Sequence, residues 1–278
     1  MRILVTNDDG IDSVGLHHLA RAMCELDGDH EIVVAAPDSE YSGAGAAIGA
    51  LHRIQPVVRK VRIDELGGTE AWSVGGPPAL CVMFARLSAF GPAPELIVSG
   101  INPGANVGRS VYHSGTVGAA LTGRNGNASG VAISQSVTGF GIEGQGWDEM
   151  LENQQWETAA TIAGAFVQAL VDSPPSEPIV ANINVPNVGI DEIDGWRHAT
   201  VGMAPPRSMT KARLDPISGH GESFTVSMDW GDELSLPPET DTGAIERNQV
   251  AVSYLSRLDH QPRDDMDAAH AALDGLVG

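Results

Sequence analysis

Two cysteines, Cys24 and Cys81, are all that 278 residues contain, too few for a disulfide framework. Both fall in segments that read as helices, so both are expected to be buried, reduced thiols. Long apolar runs are missing too: no stretch of about 18 consecutive apolar residues is present to span a bilayer. The chain opens directly on strand-like sequence, MRILVTN, without a basic region leading into an apolar segment and a small-residue cleavage site. A soluble, cytoplasmic protein with no membrane partner is the expectation. Positive charge is the third scarcity: 16 Lys and Arg stand against 36 Asp and Glu, a formal net charge of −20, and lysine occurs only at positions 60 and 211. Such a surface repels duplex nucleic acid. An anionic ligand then needs a locally positive site, and a bound cation is the simplest way to supply one. Most of the acidity reads as a solubility device.

What the chain does have is enough apolar content, 42%, for one large α/β domain with a smaller appended lobe. Residues 2–6, RILVT, form a short apolar run that ends at Asn-Asp-Asp-Gly, and residues 14–26 carry apolar side chains at helical spacing. Residues 31–36, EIVVAA, are a continuous apolar run closed by Pro37, as suits a strand buried on both faces of a parallel sheet. These make a first strand–helix–strand unit. Residues 44–74 are less regular, and the alternating VVRKVRI at 57–63 is expected to be an exposed hairpin arm outside the core sheet. Helices are predicted over 78–90, 115–124 and 157–171, and strands over 95–99, 131–134 and 179–185. The alternation predicts a doubly wound, mostly parallel sheet. Residues 1–186 are read as the catalytic core, with a flexible loop at Gly139 to Trp147. Residues 187–258, broken by Pro and Gly around strands at 223–230 and 249–255, are read as a protruding arm or oligomerisation lobe. Residues 259–278 form an acidic tail containing a frayed helix.

Ligands of doubly wound sheets bind beyond the carboxyl ends of the strands. The loops there are TNDDG at 6–10, APDSEYSG at 36–43 and SGINPGAN at 99–106, all rich in oxygen donors. Asp8 and Asp9 repel each other, and keeping both ionised in a partly enclosed loop is costly unless a cation offsets it. A hard divalent ion does so, and the neutral oxygens of Ser42 and Asn102 are consistent with its ligand set. The competing reading is an ordinary turn whose aspartates cap the next helix. In HSGTV at 113–117, Ser114, Gly115 and Thr116 precede an Ala-rich helix, where free backbone N–H groups suit phosphate oxygens. The competing reading there is a simple N-cap, and the two are compatible. His113 invites a general-acid role, against which stands a merely packed or exposed side chain.

Taken together, residues 1–23, 33–43, 95–108 and 111–121 resemble, block by block and in order, the SurE family of survival-protein nucleotidases. The likeness continues through NINVPN at 182–187 and RLDP at 213–216, and weakly through 240–255. It implies a metal-dependent 5'- and 3'-nucleotidase of broad range, sometimes with exopolyphosphatase activity. It also implies a Rossmann-like core, a C-terminal arm exchanged between subunits of a homodimer or homotetramer, and one Mg²⁺ or Mn²⁺ per subunit. By this likeness Asp8, Asp9, Ser42 and Asn102 hold the metal, with Asp8 and Asp9 catalytic. Asn106, Ser114, Gly115 and Thr116 line the phosphate pocket. Two positions depart from the family pattern: Tyr41 stands where an arginine is usual, and Leu80 replaces an aspartate. Residues 139–147 also look longer than is typical.

Three other functions compete. An aspartyl-phosphate mechanism of the haloacid dehalogenase type needs Asp-x-Asp, whereas these acids are adjacent. A calcium-dependent nucleoside hydrolase would release base, not phosphate. The substitutions at Tyr41 and Leu80 motivate a nucleotide-binding sensor without turnover.

Overall fold

The computed structural model describes residues 1–138, 151–205, 207–232, 234–258 and 262–277, so the loop expected at Gly139 to Trp147 lies outside the described residues. Six strands run parallel: β1 (Arg2–Thr6), β2 (Glu31–Pro37), β4 (Glu70–Val74), β5 (Leu96–Pro103), β6 (Ser129–Gln135) and β7 (Val180–Val185). β3 (Val58–Val61) is antiparallel to β4 at one edge, and β11 (Val250–Tyr254) is antiparallel to β7 with β8 (Trp196–His198) beyond it. The order is β3-β4-β2-β1-β5-β6-β7-β11-β8. The chain builds outward from β1 to one side, then returns to add β5 on the other, so the topological switch lies between β1 and β5.

Alternation along β1 explains the two core layers. Ile3 and Val5 face one layer with Leu16, Leu19 and Met23 of α1 (Val14–Cys24) and Ala159, Ala163 and Val167 of α4 (Trp156–Asp172). Leu4 faces the other, with Leu80 and Ala85 of α2 (Pro78–Arg86) and Ala119 of α3 (Gly115–Asn125). Among the described residues no helix is long and apolar enough to cross a membrane.

Three expectations need correction. VVRKVRI is no detached arm: residues 58–61 are an edge strand of the main sheet, exposed because nothing covers that edge. Cys81 is buried, which pushes its thiol up, but Cys24 is exposed at the last position of α1. Leu80 is fully buried in the second core layer, so its position contributes packing and no polar contact.

In the segment 187–258, β8 and β11 extend the main sheet, while β9 (Met209–Pro216) and β10 (Phe224–Trp230) pair only with each other as an antiparallel hairpin. A short helix, α5 (Asp241–Ile245), precedes β11, and α6 (Asp267–Val277) follows as an exposed terminal helix.

Candidate active site

The turn after β1 is fastened by Asn7, whose Nδ2 donates to Gly10 O at 3.0 Å and Ser13 Oγ at 2.6 Å. Ser13 in turn caps α1 by accepting from Leu16 N. The cap is therefore Ser13, and neither aspartate is used to start that helix.

Asp8 points instead at α3. Thr116 Oγ1 donates to Asp8 Oδ1 at 2.5 Å, and a Cβ on Gly115 would fall 2.7 Å from the Cβ of Asp8. Only a residue without a side chain allows the helix start to approach so closely. Ser114 is the N-cap, its Oγ accepting from Val117 N at 3.0 Å. The positive end of α3 thus faces the carboxylate, which is 2% exposed.

The Ser42 loop arrives by two routes. Tyr41 N donates to Asp8 O at 2.8 Å, so position 41 anchors the loop through its backbone whatever its side chain. Further on, Gly45 N donates to His113 O at 2.9 Å, and a Cβ on Gly118 would lie 2.2 Å from Gly45 O. Ser42 itself is exposed, and its N–H donates to Glu40 Oε1 at 2.8 Å. From β5, Asn102 donates through Nδ2 to Gly104 O at 2.6 Å, and is nearly buried beside a register shift between Ser99 and Asn102.

Electrostatics single out the acid pair. Burial raises the Asp8 carboxyl above its usual range against the Thr116 hydrogen bond, and the Glu40 charge adds to the rise. Burial, then the charges of Asp8 and Glu40, push Asp9 up to about 8. Asp9 Oδ2 is sealed from solvent and has no hydrogen-bond partner among the described residues. A buried, unpartnered carboxylate oxygen next to a second acid fits a hard cation, which would neutralise both. Among the described residues no three His, Cys, Asp or Glu side chains converge to hold a metal. The ligand set must then be completed by neutral oxygens, as Ser42 and Asn102 offer.

Asn106 sits apart from the acids in a buried polar network. Its Nδ2 donates to Ser134 Oγ and its N to Asn184 Oδ1, both at 2.8 Å, while its carbonyl accepts from Asn182 and Asn184. Two further residues matter that their local sequence does not advertise. Glu40 adds a third negative charge to the pair. Asp241, fully buried, accepts from the backbone N–H of Gly108, Gly202 and Thr242, each at 2.9 Å, clamping the loop after Asn106 to the C-terminal segment.

Comparison with known proteins was informative at this point. A family model described as Survival protein SurE matches residues 3–207. The chain belongs to the SurE family. Among its SurE relatives, the 5'/3'-nucleotidase SurE of Erwinia tasmaniensis is 32% identical over 255 residues, 92% of this chain and 90% of that protein. The 5'-nucleotidase SurE of Thermosipho africanus is 32% identical over 274 residues, covering 95% and 98%. The fold is similar to that of a SurE protein from Aquifex aeolicus, with a TM-score of 0.74 and 26% identity over 99% of this chain and 100% of that one.

Proposed function

We propose that this chain is a divalent-cation-dependent nucleotidase that releases phosphate from nucleoside 5'- or 3'-monophosphates. The observation that carries the reading is the unpartnered, solvent-sealed Oδ2 of Asp9 beside Asp8, itself seated on the start of α3. Asp8, Asp9, Ser42 and Asn102 would hold the cation, Mg²⁺ or Mn²⁺, one per subunit. When bound, such an ion offsets phosphate charge and polarises the phosphorus centre.

The protein's own groups divide the remaining work. Asp9 offers a carboxylate oxygen to accept the proton of an attacking water. Thr116 spends its hydroxyl hydrogen on Asp8, so it orients that acid and is not available to donate to the substrate through the same hydrogen. Phosphate oxygens are then left to the backbone N–H groups of Gly115 and Thr116 and to the hydroxyl of Ser114, which accepts from Val117 but keeps its own hydrogen. Asn106 supports this pocket from the network behind it.

We assign the enzyme to the cytoplasm as a homodimer or homotetramer. The exposed apolar side chains of Leu214, Phe224 and Val226 on the β9–β10 hairpin favour contact between copies.

The deciding experiment measures phosphate release from a nucleotide panel with Mn²⁺, Mg²⁺ or chelator, for wild type and Asp9→Asn. Release should depend on the cation and drop by more than about a hundredfold in the variant, beyond the cost of losing a mere supporting partner. Tight nucleotide binding without release would identify a sensor instead.

A further inference from the structure

A cavity of about 600 Å³ lies between the loop after β5 and the root of the β9–β10 hairpin. Its volume falls in the range that holds small-molecule ligands, roughly 300–1,000 Å³. One end borders the acid site. Gly104, whose carbonyl orients Asn102, and His113, the neighbour of Ser114, both line it. The far wall has a different chemistry, being built from Val137, Met209 and Trp230. Met209 and Trp230 are register partners at the open end of the hairpin, held there by the hydrogen bond from Gly231 N to Ser208 O at 2.9 Å. The Asp241 clamp fixes the same junction from behind, because it ties Gly108 to Gly202.

The cavity thus grades from polar at the phosphate end to aromatic and apolar at the other. A nucleoside monophosphate has that gradient, with its charge at one end and a flat, poorly hydrated ring system at the other. An inorganic polyphosphate is charged along its whole length and gains nothing from an indole or a thioether. A sugar phosphate would leave the apolar wall unused.

We propose that this cavity is the nucleoside subsite, with Trp230 and Met209 packing against the base. The root of the arm is therefore part of substrate recognition, and it sets the preference for nucleotides over other phosphate monoesters. The inference rests on the nucleotidase reading for its phosphate end. Its other end is testable independently, because a nucleoside without phosphate should also bind.

The experiment compares wild type, Trp230→Ala, Trp230→Phe and Met209→Ala in the full chain. The first readout is the ratio of kcat/KM for adenosine 5'-monophosphate to that for ribose 5-phosphate, with tripolyphosphate as a third substrate and Mn²⁺ throughout. The second is binding of unphosphorylated adenosine by saturation-transfer NMR. Trp230→Ala should lower the nucleotide-to-sugar-phosphate ratio about tenfold, chiefly through KM, and weaken adenosine binding similarly, the scale of one base–aromatic stack. Trp230→Phe should restore most of both, and Met209→Ala should give a smaller loss in the same direction. Equal losses on all three substrates, or an unmoved ratio, would overturn the proposal. If wild type releases phosphate from none of them, the nucleotidase reading fails separately. Adenosine binding then decides: Trp230-dependent binding keeps the subsite, and its absence removes it.

Discussion

Gly115 leaves room for Asp8: the Cβ it lacks would stand 2.7 Å from the aspartate's own Cβ and 2.8 Å from Oδ2. Both partners are buried, so neither can swing into solvent to relieve a clash. Gly115→Ala should move the acid off the helix start, costing about 1–3 kcal/mol in overpacking. Activity should fall at least about tenfold with a matching loss of Mn²⁺ affinity, read by steady-state kinetics and calorimetric titration. A variant with unchanged cation affinity would mean that the contact is only steric filler.

Thr116 supplies the one side-chain hydrogen bond that Asp8 receives among the described residues. Thr116→Val keeps the shape and removes the donor, which for a charged acceptor is worth about 1.5–3 kcal/mol. Cation binding should weaken correspondingly, while Thr116→Ser should retain it. Calorimetry on the two variants separates the hydroxyl from the methyl, and equal behaviour would refute the assignment.

The pH dependence of stability follows from the acid pair. In the unfolded chain both carboxyls ionise near pH 4, whereas in the folded, cation-free protein burial holds the proton on Asp9 up to about 8. The folded state binds more protons across that window. The stability contributed by these groups is therefore full below about pH 4 and is lost as pH rises towards 8. A cation takes the deprotonated acids, so the gain in Tm on adding Mn²⁺ should grow over the same range. Melting curves from pH 5 to 8 with chelator and with Mn²⁺ test this. Asp9→Asn should flatten the slope seen in chelator, and a wild-type Tm that climbs with pH as steeply as the variant's would contradict the account.

Asp241 joins three backbone N–H groups that have no other acceptor shown. Asp241→Ala leaves these buried donors unsatisfied, at about 1–3 kcal/mol each if none relaxes. A Tm loss of roughly 5–10 °C is expected for a chain of this size. Nucleotide KM should rise more than kcat falls, since the clamp frames the cavity and does not touch the acids. Loss of kcat alone would argue against that division.

Much of the core was legible in the sequence because strands buried on both faces read as unbroken apolar runs, as EIVVAA and ELIVS do. Edge and hairpin strands carry no such signature. Residues 58–61 were mistaken for an arm, and residues 209–216, exposed throughout, gave no strand signal at all. Asp8, Asp9 and the residues around Ser114 stood out because short loops at strand ends concentrate acids and hydroxyls. Glu40 lay in a quoted loop, yet its effect on Asp9 arises only when that loop folds back onto β1. Asp241 could not be found locally, for its partner Gly108 is 133 residues away. The exposure of Cys24 was misjudged because a helix has two faces and its neighbour Met23 occupies the buried one.

β1 runs down the middle of a nine-stranded sheet, flanked by β2 and β5. The acids therefore project from the segment that opens last when a structure frays from its margins. Amides of β1 should be among the slowest in the molecule to exchange with deuterium, while those of the hairpin and terminal helix exchange freely. Evolution can then redraw the outlying parts, and with them what is bound, without loosening the grip on the ion.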